Sequence, residues 1–441
     1  MMNPVITLAI FAIAIGALVV LTARFKFHAF IVILLITVLV GLAAGLNPGD
    51  VIGYIVEGFG GMLGYTGIVV VCGIIIGEFL EKTGATVTIA ETVIGLVGRA
   101  RATLATAISG YILAVPVMCC DTAFVILSPI ARALAAGGGI SLSGISIALA
   151  VGTYTSFKFI PPSPGPLAIL TTFGADFGKT LVLSFLVSIP VFAVGMVWAY
   201  RRSSRVAAEP RGASFDEIKQ RYERLPNVYQ SFAPILVPVL LIILKSATSA
   251  FLATEGVVGG ILDFIGHPVI ALPIGVISLM VLNREAGMEK ITGWTSEAIT
   301  RSASILVIVG VGGALGEVLR HTGIGDYLGD AITRAGLPGL VVPFLLAAAL
   351  KTAQGSSLVT MFTTPAIVLP FLPSLGLSPE IATLATCAGA LAVVHANDSF
   401  FWVVTGFGEM DVPAGYRSLT VVTLLQGIIA LPVVWALSLV T

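Results

Sequence analysis

The residues best suited to chemistry lie together in Gly389 to Trp402, read as GALAVVHANDSFFW, where His395, Asn397, Asp398 and Ser399 interrupt an otherwise apolar tract. A polar or ionisable group at membrane depth costs several kcal/mol unless it is partnered or wetted, so such a cluster points to function. Histidine is the side-chain type that can change charge near neutral pH, which makes His395 a candidate for proton coupling. Asp398 is a second coupling candidate. A plainer reading stands beside both: Asn397 and Asp398 cap a helix that begins at Ser399, and His395 is a satisfied bundle residue.

Similar polar interruptions occur in three other places. Val115 to Pro129 (VPVMCCDTAFVILSP) contains Asp121, a third coupling candidate. Gly152 to Pro166 (GTYTSFKFIPPSPGP) contains Lys158, and Lys351 to Pro365 (KTAQGSSLVTMFTTP) contains Gln354, Gly355, Ser356 and Ser357. Proline removes a backbone donor and pushes the residue before it toward extended geometry, so Pro161, Pro162, Pro164 and Pro166 cannot share one continuous helix. A broken helix presents unpaired amides and the positive end of its dipole, which attract a carboxylate. Gly355 lets the backbone come close, while Ser356 and Ser357 add hydroxyl donors. Lys158 either compensates a charge on substrate or partner, or snorkels to an interface.

These breaks must be positioned by membrane-spanning helices. The 441 residues are 57% hydrophobic and 10% charged, and apolar runs long enough to cross about 30 Å of hydrocarbon recur along the chain. Continuous runs, not short alternating ones, predict an all-α polytopic membrane protein of about ten to twelve spans and exclude a β-barrel. With 23 basic and 23 acidic residues there is no basic face for nucleic acid. Cys72, Cys119, Cys120 and Cys387 form no metal-ligand spacing and read as small buried residues; no metal or cofactor is expected. The run from Pro4 to Ala23 has no basic residue before it and Arg24 and Lys26 after it, which predicts a first span and not a cleaved leader.

The polar segment Arg201 to Gln230 carries seven basic residues against four acids and divides the chain into halves 1–200 and 231–441, with 201–230 as a cytoplasmic linker. That orientation puts both termini outside. GEFLEKTG at Gly77 to Gly84 and GEVLRHTG at Gly316 to Gly323 agree at five of eight positions. Spans near 28–46, 62–81 and 179–200 match spans near 266–282, 300–319 and 416–438 at a similar offset, and their directions are opposite. The expectation is a pair of inverted-topology repeats with re-entrant broken helices, as in many secondary transporters. Glu78 and Glu317 take matching places and read as structural.

At these breaks the chain resembles the gluconate permease family, also called the gluconate:proton symporter family, within the ion transporter superfamily. The likeness is carried by FIPPSPGPLAI at Phe159 to Ile169, KTAQGSS at Lys351 to Ser357, HANDSFFW at His395 to Trp402, and Asp121 followed by Phe124 and Val125. The resemblance implies a dimeric symporter of the bacterial inner membrane, carrying sugar acids such as gluconate by an elevator-like motion. It implies site residues at Asp121, Pro161, Pro162 and Gly165 in the first half and at Gly355, Ser356, Asn397 and Trp402 in the second. Thr122, Lys158, Ser163, Gln354 and Ser357, polar residues of the same breaks, complete the expected substrate contacts. His395, Asp398 and Asp121 are expected to handle the coupling proton. The family commonly has His where this chain has Phe157 and Ser163, and aromatics where it has Cys119 and Cys120, so the first-half pocket is less titratable and Lys158 assumes part of its polar role.

Alternatives of other classes stay open from sequence: sodium as coupling ion, a D-serine-type amino-acid carrier, and a channel. A remote one is an intramembrane aspartyl protease, prompted by GIGD at Gly323 to Asp326 and weakened by the absence of any Tyr-Asp dipeptide.

Overall fold

The computed structural model describes residues 4–98, 101–202, 220, 222, 224–251, 257–324, 336 and 338–440. Most of the 201–230 linker and Asp326 of the GIGD motif lie outside the described residues. Those described form helices and connecting turns, with no strand among them.

In the first part of the chain the helices are α1 (Pro4–Val19), α2 (Ala29–Ala43), α3 (Pro48–Lys82), α4 (Ala85–Val97), α5 (Ala102–Val117) and α6 (Cys120–Gly138). They continue with α7 (Leu142–Phe159), α8 (Pro164–Phe173) and α9 (Phe177–Arg202). After the linker come α10 (Val228–Phe251), α11 (Val257–Ile265), α12 (Pro268–Leu282), α13 (Met288–His321), α14 (Val341–Gln354) and α15 (Ser357–Val368). The last are α16 (Pro379–Leu391), α17 (Ser399–Phe407) and α18 (Val412–Ser438).

Among the described residues, six helical stretches can cross a membrane by length and composition: Pro48–Lys82, Phe177–Arg201, Val228–Ser246, Met288–His321, Ser357–Leu375 and Val412–Ser438. A seventh is the pair α11 and α12, bent by 67° at its break. Two spans are longer than their apolar cores. The runs at 62–81 and 300–319 sit inside α3 and α13, of 35 and 34 residues, so each helix is about 50 Å long. Hydropathy falls where Asp50, Glu57, Glu289 and Lys290 enter, but backbone hydrogen bonding continues through them because no proline interrupts either helix interior.

α3 and α13 pack along one another at facing glycines, Gly58 and Gly313, where a side chain on either would strike the other's backbone. Glu78 on α3 is buried and pairs with Arg301 of α13 at 2.8 Å and Lys82 at 3.4 Å; Glu317 pairs with Arg320 at 3.0 Å. Around the breaks, α5 packs on α7, α14 on α16, and α9 on both α7 and α18, giving an apolar core rich in Ala, Val, Ile and Leu. All four cysteines carry free thiols.

Candidate functional site

Four helix interruptions build the site. α5 ends on Met118 in the left-handed region (φ 53°), and extended Cys119 leads into α6. α7 ends on extended Ile160 before the proline run that opens α8. α14 ends on Gly355 at φ 79°, after which the Ser356 hydroxyl caps α15 by accepting from the Val359 amide at 3.3 Å. α16 ends at Ala392, Val393 takes φ 58°, and Asp398 caps α17 by accepting from the Phe400 amide at 3.0 Å.

The interruptions meet. Ser399 donates to Asp121 Oδ2 at 2.9 Å, joining the first break to the fourth. The hydroxyls of Tyr154 and Ser357 share a hydrogen bond of 2.9 Å, joining the second to the third. Tyr154 also stacks on Phe400 with ring centroids 5.1 Å apart, and Phe124 meets Phe400 edge-on at 5.9 Å. Between the third and fourth breaks, Asn397 donates to the Thr352 carbonyl at 2.9 Å, and His395, in its Nε2–H tautomer, donates to the same oxygen at 2.8 Å. Each such link is a hydrogen bond or ring contact made by residues at or near the interruptions, where backbone groups lack intrahelical partners.

Two lysines serve this centre in different ways. Lys351 is fully buried; its ammonium donates to the Gly355 carbonyl at 2.7 Å and to Asp398 Oδ2 at 2.5 Å. Asp398 thus acts as cap and counter-ion at once. Lys158 is equally buried but has no carboxylate within ion-pair distance among the described residues. Its ammonium lies 4.8 Å from the Tyr154 ring centroid, 4.9 Å from that of Phe157 and 3.9 Å from Met361 Sδ.

The other expected residues divide between two surroundings. Ser356, Asn397, Ser399 and Trp402 are exposed and Asp121, Thr122 and His395 half-buried, so the polar side of the breaks is open. Trp402 is fixed by donating to the Ala396 carbonyl at 2.9 Å. Gln354 keeps both amide atoms buried without a hydrogen-bond partner among the described residues, as does the Ser163 hydroxyl. Pro161 and Pro162 instead line a small apolar cavity of about 20 Å³ with Met118, Pro234 and Leu272, and Gly165 packs on Met361. Lys351 and Tyr154 are the functional-looking residues that sequence reasoning passed over. The signal for Lys351 was available, since it is a lysine in an apolar tract like Lys158.

An all-helical scaffold with several apolar spans and a polar centre of broken helices defines a multi-pass integral membrane protein of the transporter kind. Residues 6–440 match the profile of the GntP family permeases, and the chain belongs to that family. It is accordingly a permease and not an enzyme. It is 34% identical over 409 residues to an uncharacterized permease of Haemophilus influenzae, covering 89% of this chain and 84% of the relative. It is 29% identical to the gluconate permease of Pseudomonas aeruginosa, covering 97% and 96% of the two chains. The Gnt-II system L-idonate transporter of Escherichia coli is 30% identical, covering 98% and 99%. Among solved structures, the YdaH transporter of Alcanivorax borkumensis shares the fold with a TM-score of 0.64 at 16% identity, over 92% of this chain and 96% of that one. MtrF of Neisseria gonorrhoeae does so with a TM-score of 0.61 at 16% identity, over 92% and 93%.

Proposed function

We propose that this permease imports a small organic anion of the sugar-acid or hydroxy-acid class, gluconate-like in size and charge, by symport with a proton across the bacterial inner membrane. In this reading the halves 1–200 and 231–441 are inverted repeats around a cytoplasmic linker, both termini are periplasmic, and a homodimer provides the frame for elevator-type movement. The observation that carries the reading is the joining of four broken helices at one polar centre by Ser399–Asp121, Tyr154–Ser357 and Lys351–Asp398. Such a centre offers an anion hydroxyl donors, amide ends and the buried Lys158 ammonium, while Asp121 and His395 are available to exchange protons. Symport of one proton with one monoanion moves no net charge, so uptake needs no membrane potential.

The relatives named for gluconate and L-idonate support the substrate class. The test is uptake of labelled gluconate into proteoliposomes. An inward acid pH jump in sodium-free buffer should drive accumulation, and preloaded gluconate should drive counterflow. Absence of both with gluconate and with idonate would overturn the substrate class. Accumulation driven by a sodium gradient alone would overturn proton coupling.

A further inference from the structure

Lys351 is the last basic residue before the third break, and it lies where a lysine is costly. Its side chain is 0% exposed and that of Asp398 is 7% exposed, so the pair is removed from water. Such burial is tolerated only when the charges are matched and the remaining hydrogen-bonding capacity is used. Both conditions are met from two different interruptions. The Gly355 amide closes α14 by donating to the Lys351 carbonyl at 2.9 Å, and the left-handed turn at Gly355 leaves its own carbonyl outside any helix. That carbonyl and Asp398 Oδ2 both accept from the Lys351 ammonium. The second Asp398 oxygen caps α17, so the carboxylate cannot leave without uncapping a helix.

A backbone carbonyl from an unwound segment together with a carboxylate is the donor set by which broken-helix carriers hold a coupling cation, and hard cations take oxygen donors of this kind. Here a covalently attached ammonium fills that space. We propose that Lys351 is a built-in substitute for a bound sodium ion: it places a permanent positive charge between the third and fourth breaks, so that this position takes no sodium and sodium has no part in coupling. The Lys351 charge also keeps Asp398 committed to structure. Proton exchange is thereby left to Asp121 and His395, whose carboxylate and ring contact no basic side chain among the described residues.

This inference rests on the symport reading for its meaning, but its test uses no substrate, so the two can fail separately. Thermal unfolding of the purified protein is followed in sodium chloride and in choline chloride at equal ionic strength. The wild type should melt at the same temperature in both. Lys351→Ala removes the ammonium and leaves its oxygens unmatched; it should melt lower in choline and recover by roughly 3 °C or more in sodium. Lys351→Met fills the space without charge and should show no sodium response, and Asp398→Asn added to Lys351→Ala should abolish the response. A sodium-dependent wild type, a Lys351→Ala protein indifferent to sodium or unfolded in both salts, or a response that persists in the double variant or in Lys351→Met would each overturn the proposal.

Discussion

Ser399 donates its hydroxyl hydrogen to Asp121 at 2.9 Å, linking the first turn of α6 to the first turn of α17 across 278 residues of sequence. The other Asp121 oxygen accepts from the Cys120 thiol at 3.6 Å. Asp398 differs in kind, because Lys351 neutralises it. A carboxylate held by a neutral hydroxyl can gain or lose a proton without stranding a buried counter-ion, whereas one in a buried ion pair cannot. In the symport reading proposed above, the two aspartates would therefore have separate duties, Asp121 exchanging the proton and Asp398 holding Lys351.

Asp121→Asn keeps the shape of the side chain and an oxygen to accept from Ser399, but removes the titrating group. Accumulation driven by a pH gradient should fall at least about a hundredfold, while gluconate counterflow stays within about tenfold of the wild type, because exchange needs no net proton movement. Ser399→Ala should weaken accumulation by about tenfold, corresponding to about 1.4 kcal/mol for one hydrogen bond to a charged group. Combined with Asp121→Asn it should add little, since the hydroxyl then has no charged carboxylate to hold. Intact accumulation by Asp121→Asn would exclude this carboxylate from coupling.

Gly355 is the sharpest local constraint in the site. Its φ of 79° lies in the left-handed region, and a side chain there would run into the carbonyl of Asn397. With ψ at −33° this positive-φ conformation alone costs a non-glycine residue about 1–3 kcal/mol. The collision would also displace the loop that carries Asn397 and His395 onto Thr352. Gly355→Ala should thus lower the melting temperature by about 2–4 °C for each kcal/mol and abolish gluconate uptake, with membrane insertion retained. Uptake at wild-type rate would show that the third and fourth breaks need not touch.

The breaks themselves were legible in the sequence because proline and glycine act locally. The proline run after Ile160 ends one helix and starts another, and Gly355 followed by Ser356 makes a turn and a cap within two residues. What joins the breaks was not legible. Tyr154 and Ser357 are 203 residues apart and Lys351 and Asp398 47, and no periodicity encodes such pairs. Orientation was equally hidden: Pro161 and Pro162 break the helix as expected, yet turn toward an apolar cavity, because a break has two sides and composition marks neither. Lys351 carries the same sequence signal as Lys158, a lysine in an apolar tract, but only the structure shows its ammonium turned inward onto Asp398.

Lys158 provides a separation of stability from function. Its ammonium has two aromatic rings and a thioether for company, and such contacts contribute about 2 kcal/mol when desolvated. Removing an ammonium from water costs several kcal/mol, so the side chain is a net burden on the resting protein. In the reading proposed above, a substrate carboxylate arriving beside α15 would supply the missing charge. Lys158→Met keeps the length and apolar stem while deleting the ammonium. The variant should melt higher than the wild type, by about 2–4 °C for each kcal/mol recovered, and gluconate uptake should drop at least about tenfold. Lys158→Arg should restore charge without restoring uptake, because a planar guanidinium does not fit a cage sized for a compact ammonium. Higher melting with undiminished uptake in Lys158→Met would make the residue a packing element, and lower melting would mean that the rings alone suffice to hold its charge.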